Sequence, residues 1–182
     1  GLNSAPEWTI IKRRSDTEAW PVWHTAFGSA QSNVRLNGTD VVDTSSSGMF
    51  NNTFPTSSLI TLGNGNFVNT NTETYVAYCF SEVKGYSKFG SYTADGNVDG
   101  PFVYTGFKPA WVMFKQTNSS DTAHWFMYDS TRSPTNVIGD VGLAANLSNA
   151  EGLGSTWNPN TSDSVVDFVS NGFKIRTTAT SG

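Results

Sequence analysis

The chain has 182 residues, which is enough for one large β domain or two domains of ordinary size. Aromatic residues make up 13% of the sequence and charged residues only 14%, as in β-rich extracellular proteins. The formal net charge of −4 argues against nucleic-acid binding, and no apolar run approaches the roughly 18 residues of a membrane span. The single cysteine, Cys79, excludes an internal disulfide and is expected to be a small buried hydrophobe.

Short segments rich in aromatic and β-branched residues predict β-strands along the whole chain. They lie at residues 7–13, 20–24, 59–62, 74–80, 101–105, 110–115 and 125–129. Near the end, alternation over 165–169 predicts a strand, and Asn171-Gly172 has the positive-φ preference of a two-residue hairpin turn before residues 173–176. Asn64-Gly65 follows 59–62 in the same way, which predicts an equivalent hairpin there.

Many short strands separated by frequent turn signals are typical of an antiparallel sandwich or barrel. The sequence therefore predicts an all-β, antiparallel β-sandwich of the jelly-roll or concanavalin-like (lectin-like) type, with aromatic residues between two sheets. Because alternate residues of a strand face the core, the side chains expected inside are Trp8, Trp111, Phe114, Phe168 and Phe173.

The two halves of the chain resemble each other. The segment APEWTIIK at 5–12 returns as KPAWVMFK at 108–115, an offset of 103 residues that grows to 106 further along. The matched pairs are Pro6 with Pro109, Trp8 with Trp111, Lys12 with Lys115, Trp20 with Trp125 and Phe67 with Phe173. This pattern predicts two diverged repeats at 1–84 and 85–182, either two sandwiches or pseudo-symmetric halves of one.

Both repeats are expected to be cut, as pieces of a longer polypeptide. YVAYCF at 75–80 has no counterpart before Gly182, and the first copy opens abruptly. An unfilled strand position exposes unpaired backbone groups. We therefore expect the chain to associate into a homo-oligomer or to lose stability unless a segment resembling TYVAYCF supplies the missing strand.

The motifs GYSKFGSYTADGNVDGPFVYTGFKPAWVMFK and FPTSSLITLGNGNFVNTNTETYVAYCF resemble a repeat domain of tailed-bacteriophage tail-fibre and virion structural proteins. The residues that carry the resemblance are Tyr75, Ala77, Tyr78, Gly85, Tyr86, Phe89, Gly90, Tyr92, Gly106, Phe107 and Pro109. It implies a β-sandwich in a longer fibre or decoration protein, located in the virion or extracellularly. Its partners would be other virion proteins, further repeats or a cell-surface glycan, without nucleic acid or membrane. No catalytic residues come with it.

One string has the spacing that opens a calcium-binding loop. In DGNVDG at 95–100, Asp95, Asn97 and Asp99 supply oxygens at alternate positions. Position twelve would be Gly106 instead of a bidentate Glu, so a plain polar turn remains the alternative. No other cofactor is expected.

The titratable residues do not form a recognised catalytic or zinc motif. His24 and His124 occupy different positions in the two repeats, and a zinc site needs more ligands. The residues considered for hydrolysis are His24, Ser130, Asp121, Asp129, Asp163 and Asp167. The sequence therefore predicts a protein that is not an enzyme.

Aromatic residues near loops are better candidates for function, because sugar rings stack on Trp and Tyr while Asn and Asp bond the hydroxyls. The candidate platform comprises Trp20, Trp23, Tyr92, Asp95, Asn97, Asp99 and Trp157. Two hypotheses follow: a structural or adhesive phage-virion module, or a free-standing carbohydrate-binding, lectin-like protein. The same sandwich serves both functions, so the sequence does not separate them.

Overall fold

The computed structural model describes residues 2–45, 47–118, 123–132, 142–151 and 165–176. These residues are nearly all β, every strand pairing is antiparallel, and one short 3-10 helix spans Thr25–Phe27. The strands are β1 (Trp8–Arg13), β2 (Pro21–His24), β3 (Val34–Arg35), β4 (Tyr75–Phe80), β5 (Phe102–Tyr104), β6 (Trp111–Phe114), β7 (Phe126–Asp129), β8 (Leu143–Ala144), β9 (Val166–Val169) and β10 (Gly172–Ile175). The predicted all-β antiparallel class is confirmed. Within the described ranges, no helix is long and apolar enough to cross a membrane.

The described residues form two compact units. The first contains those of 1–83 together with 87–90 and 117–118, and the second contains 84–86, 91–116 and those of 121–182. The division into two sandwich repeats between residues 84 and 85 stays a prediction.

The first unit is built on a four-stranded sheet in the order β3-β2-β1-β4. Its strands are rich in Ile, Val and Trp, which suit a pleated surface buried on at least one side. Ile11 and Trp23 from the sheet join Phe50 and Val68 from the 47–69 segment in one buried cluster. This segment therefore covers one face of the sheet.

The strand expected at 59–62 and the Asn64-Gly65 hairpin are both wrong. Residues 59–65 carry no strand. Instead, the amide of Gly63 donates to Met49 O at 2.8 Å and that of Gly65 to Gly48 O at 2.7 Å. A Cβ on Gly63 would lie 2.4 Å from Gly48 O, so the backbones approach too closely for any other residue there.

The second unit contains two three-stranded sheets, in the orders β5-β10-β9 and β6-β7-β8. One buried cluster takes side chains from both sheets. Its members are Val112, Tyr128, Val165, Val166, Phe168, Phe173 and Ile175. The two sheets thus share a single hydrophobic core, the main stabilising feature expected of a β domain.

The predicted β9–β10 hairpin exists, but its turn lies one residue earlier than expected. Gly172 pairs with Val169, so the two-residue loop is Ser170 and Asn171, and Gly172 begins β10. The predicted positive φ values at Asn171 and Gly172 are not found. Gly172 is required for a different reason, because a Cβ there would lie 2.1 Å from the carbonyl oxygen of Val103 on β5.

The predictions for the core are partly correct. Phe168 and Phe173 are buried, whereas Trp8 and Phe114 are only half-buried. Trp111 is 48% exposed, which contradicts its predicted burial. Val112 faces the shared core, so the alternation of the strand turns Trp111 to the opposite face of edge strand β6.

Cys79 is half-buried instead of fully buried. Desolvation raises the pKa of its thiol above the ordinary value, which keeps it protonated at neutral pH.

The β1–β2–β3 arrangement of the first unit recurs as β6–β7–β8 in the second. Trp8 pairs with His24 as Trp111 pairs with Asp129, the residues that the repeat alignment matches. The backbone hydrogen bonds outside the strands also recur: Thr25 N to Glu7 O (2.8 Å) and Ser130 N to Ala110 O (2.9 Å), and Leu36 N to Trp20 O and Ala145 N to Trp125 O (both 2.9 Å).

Side chains repeat the same pattern. The amide of Trp20 donates to Asn37 Oδ1 at 3.0 Å, and the amide of Trp125 donates to Asn146 Oδ1 at 3.2 Å. The ammonium of a matched lysine lies over each indole ring: Lys12 at 5.8 Å from the Trp20 centroid and Lys115 at 6.0 Å from that of Trp125. Two separate parts of the chain therefore adopt the same three-stranded arrangement with the same polar contacts.

Candidate functional site

The predicted platform residues of the first unit, Trp20 and Trp23, differ in accessibility. Trp23 is 3% exposed, belongs to the core cluster and donates its indole N–H to Ser29 O at 3.1 Å. It therefore cannot stack on a ligand, which corrects its assignment as a loop aromatic. Trp20 is half-buried and has the Lys12 ammonium over its ring.

Tyr92, in the second unit, also serves the core. Its ring meets Phe114 and Phe173 edge-on, with centroids 6.4 Å apart in both cases. Burial raises the pKa of its phenol to about 12. Its ring is thus an inner aromatic contact and not part of an exposed platform. Trp157 lies outside the described residues.

The candidate calcium residues have separate hydrogen-bonding roles. Asp95 Oδ1 accepts from the amide of Asn97 at 3.1 Å, which closes a polar turn. The carboxylate of Asp99 instead accepts from Lys174 Nζ at 3.0 Å and Arg176 Nη1 at 2.6 Å. In the part of the chain that the structure describes, no group of three or more His, Cys, Asp or Glu residues could hold a metal ion.

The described residues that were considered for hydrolysis bond to structural neighbours. His24 Nδ1 accepts from the amide of Ala26 at 3.0 Å, and Asp129 accepts from the amide and guanidinium of Arg132. These bonds lower the pKa of Asp129, the backbone bond from Arg132 being the largest cause. Ser130 Oγ lies 3.4 Å from Ala110 O, and Asp167 pairs with Arg176. Asp121 and Asp163 lie outside the described ranges.

The outer face of the β5-β10-β9 sheet carries exposed aromatic rings beside charged side chains. Val103, Phe168 and Phe173 point into the core, so alternation turns their strand neighbours outward. Two of these neighbours are large aromatic residues, Phe102 at 46% and Tyr104 at 64% exposure.

Glycines lie beneath both exposed rings. A Cβ on Gly172 would lie 2.8 Å from the ring of Phe102, and one on Gly106 would lie 3.4 Å from Tyr104 Oη. Gly106 also has a φ of +83°, a conformation that other residues rarely adopt. Each ring therefore packs against a glycine, and part of its surface is open to solvent.

A charged network borders the two rings. On the same outer face, Arg176 Nε donates to Asp167 Oδ2 at 2.6 Å while Arg176 and Lys174 both bond Asp99. The hydrogen bond from Lys174 is the largest cause that lowers the pKa of Asp99, and the bond to Asp167 raises the pKa of Arg176. The charged forms of Asp99 and Arg176 are therefore favoured, and the contacts join the four side chains in one network.

We define the aromatic–charged face as Asp99, Phe102, Tyr104, Asp167, Lys174 and Arg176. It combines ring faces with fixed donors and acceptors, an arrangement suited to bind a ligand with an apolar face and hydroxyl groups. Sequence reasoning named Asp99 for both the sugar platform and the calcium loop and Asp167 only as a hydrolysis candidate, and it did not name Phe102, Tyr104, Lys174 or Arg176. The alternation in FVY and GFKIR contained the signal, since both strands place apolar residues on one face and these side chains on the other.

Comparison with known protein families gives a match over the whole chain. No curated protein and no solved structure matches the chain at a significant level. The family model described as a domain of unknown function (DUF7483) matches residues 1–182. The chain therefore belongs to the DUF7483 family.

Proposed function

We propose that the protein is a non-enzymatic structural and adhesive module of a phage particle, part of a tail fibre or decoration protein, that binds host-surface glycans. The aromatic–charged face is the observation that carries this proposal. The recurring three-stranded arrangement and the resemblance to virion repeat domains support the structural role.

Glycan binding follows from the chemistry of this face. The apolar side of a pyranose ring stacks on an aromatic ring, and Phe102 and Tyr104 present two rings on successive outward positions of β5. Asp99, Lys174 and Arg176 supply acceptors and donors for hydroxyl or carboxylate groups. A single exposed face of this kind binds weakly, and several copies on one particle would raise the avidity.

A free-standing carbohydrate-binding, lectin-like protein is the second candidate, because the same face would serve it. The full open reading frame separates the two. Further copies of the repeat on either side favour the virion fibre, whereas a single unit with a secretion signal favours the lectin.

The test is a glycan-array screen followed by titration of the best ligand. We expect Tyr104→Ala and Phe102→Ala each to weaken binding about tenfold, the loss of roughly one stacking contact. Asp99→Asn should weaken it as well, because the two cations lose their charged partner.

Tyr86→Ala is the matched control. Tyr86 is 80% exposed and lies in the turn closed by the Val83–Ser87 bridge, outside the aromatic–charged face. Binding that survives Tyr104→Ala, or that falls equally in Tyr86→Ala, would assign the ligand to another surface. No binding to any glycan would refute the adhesive role.

A further inference from the structure

Among the described residues, the outer edge of β6 has no strand that corresponds to β4 beside β1 in the first unit. β1 pairs with β2 on one side and with β4 on the other. β6 pairs with β7 in the matching register, but among the described residues no strand pairs with its other side.

The direction of the free backbone groups follows from the antiparallel ladder. The bond from Ser130 N to Ala110 O directs the backbone of Ala110 toward β7. The backbone N–H and C=O groups of successive residues point alternately to the two sides of a strand. Those of Val112 therefore point toward β7, and those of Trp111 and Met113 point to the outer edge. In the first unit the matched residues face Phe80 and Tyr78 of β4.

The side chains of the two units differ in the same place. Trp8 stacks on Phe80 of β4, with ring centroids 5.0 Å apart and an interplanar angle of 28°. Trp111, at the matched position, is 48% exposed. β4 thus covers in the first unit a tryptophan that remains open in the second.

Strand β6 also lacks the usual protection of an edge strand. Natural edge strands carry charged residues, proline or a bulge that prevent pairing with another chain. The sequence WVMF of β6 has no charge and no proline, and all four of its residues pair in regular register with β7.

We propose that the outer edge of β6 is an acceptor site for one antiparallel strand of a partner polypeptide with the side-chain pattern of β4. The partner strand places an aromatic residue opposite Trp111, as Phe80 lies opposite Trp8, and a second aromatic opposite Met113, as Tyr78 lies opposite Ile10. Its backbone bonds supply affinity and its aromatic spacing supplies specificity. This site is separate from the aromatic–charged face and does not depend on glycan binding.

The test uses the whole 182-residue chain and a fluorescent peptide with the sequence of residues 74–80, Cys79→Ser, flanked by lysines for solubility. Fluorescence anisotropy should show saturable binding. Trp111→Ala should weaken it about tenfold, and Tyr86→Ala should leave it unchanged.

Two N-methylated peptides test the hydrogen-bonding edge without altering the protein. In β4, Arg14 N bonds Thr74 O, so the even-numbered residues face β1 and Ala77 faces away. N-methylation at Tyr78 should therefore weaken binding at least about tenfold, and N-methylation at Ala77 should have no effect.

The absence of saturable binding would overturn the proposal. Equal effects of the two N-methyl groups, or binding that Trp111→Ala leaves unchanged, would overturn it as well. A dimer of the chain that the peptide cannot dissociate, but that Trp111→Ala does, would also overturn it by assigning the edge to a second copy.

Discussion

Gly172 shows how one residue fixes the contact between two strands. It begins β10 at the point where Val103 O of β5 occupies the space of a side chain. We expect Gly172→Val to destabilise the protein by roughly 1–3 kcal/mol, the usual cost of forcing atoms into an occupied space. Chemical denaturation monitored by tryptophan fluorescence would measure the change.

Gly90→Val provides the control for Gly172→Val. A Cβ on Gly90 meets no atom within 4 Å, and its φ is not positive. Equal free energies of unfolding for the two variants would contradict the close approach of β5 to β10.

The lowered pKa of His24 leads us to expect that the stability of the protein depends on pH. The burial of His24 lowers the pKa of the imidazole below 6.5, while its Nδ1 caps the 3-10 helix by accepting from Ala26 N. The unfolded chain therefore takes up a proton more readily than the folded one, so stability should decrease as the pH falls below 6.5 and level off once folded His24 is protonated.

Thermal melting of wild type and His24→Asn between pH 7 and pH 5 tests this dependence. Asn retains a capping acceptor but does not titrate, so the variant should show a smaller decrease in melting temperature over this range. Part of the decrease should remain, because burial lowers the pKa of His124 in the same direction. Identical pH profiles would contradict the lowered pKa of His24.

Burial could be predicted from sequence for some residues and not for others. Alternation placed Phe168 and Phe173 inside correctly, since both lie on strands whose inner face meets the second sheet. The same reasoning failed for Trp111, and Trp23, which was assigned to a loop platform, is buried. Alternation shows which residues share a face, but it does not show which face is covered or which strand ends a sheet.

At the scale of secondary structure, the two three-stranded arrangements depend on matched asparagines. Asn37 and Asn146 each accept the amide of the tryptophan that precedes the middle strand. We expect Asn146→Ala to cost about 1 kcal/mol and the more exposed Asn37→Ala somewhat less, while Asn37→Asp, which keeps the acceptor, should be tolerated. Denaturant midpoints would measure these changes. If Asn146→Ala left the free energy of unfolding unchanged while Asn37→Ala lowered it, the two arrangements would not be equivalent.

Strands of four or more residues were predictable because their apolar periodicity is clear, as in β1, β4 and β9. The two-residue strands β3 and β8 were missed, since so short a segment has no period. Residues 59–62 were assigned wrongly for a physical reason: Ile60 and Leu62 pack against the core of the first unit as apolar residues of any structure would. The apolar composition of such a segment indicates that it is buried, but it does not show that the segment pairs with another strand.

At the scale of the whole molecule, the sequence similarity of the two halves was visible because Pro, Trp and Lys recur at nearly constant offsets, whereas the division into two sandwich repeats stays a prediction. The aromatic–charged face could not be predicted from the sequence, because it depends on β5 lying beside β10. The paired residues of these two strands are about 70 positions apart. Of the predicted platform, Trp23 is buried and Asp99 belongs to the aromatic–charged face, while a role for Trp20 and Trp157 stays a prediction.

Two parts of the chain share a three-stranded arrangement; β4 adds a fourth strand to the first, and no strand among the described residues pairs with the matching edge of the second. Residue-resolved amide hydrogen exchange by NMR tests this claim most directly. We expect matched protection of Leu36 with Ala145 and of Thr25 with Ser130, whose amides make equivalent bonds. We expect the amide of Ile10, which faces β4, to exchange slowly and that of Met113 to exchange fast. If the amide of Met113 were as protected from exchange as that of Ile10, the edge of β6 would be paired. If the amide of Leu36 were protected and that of Ala145 were not, the two parts of the chain would not share one arrangement.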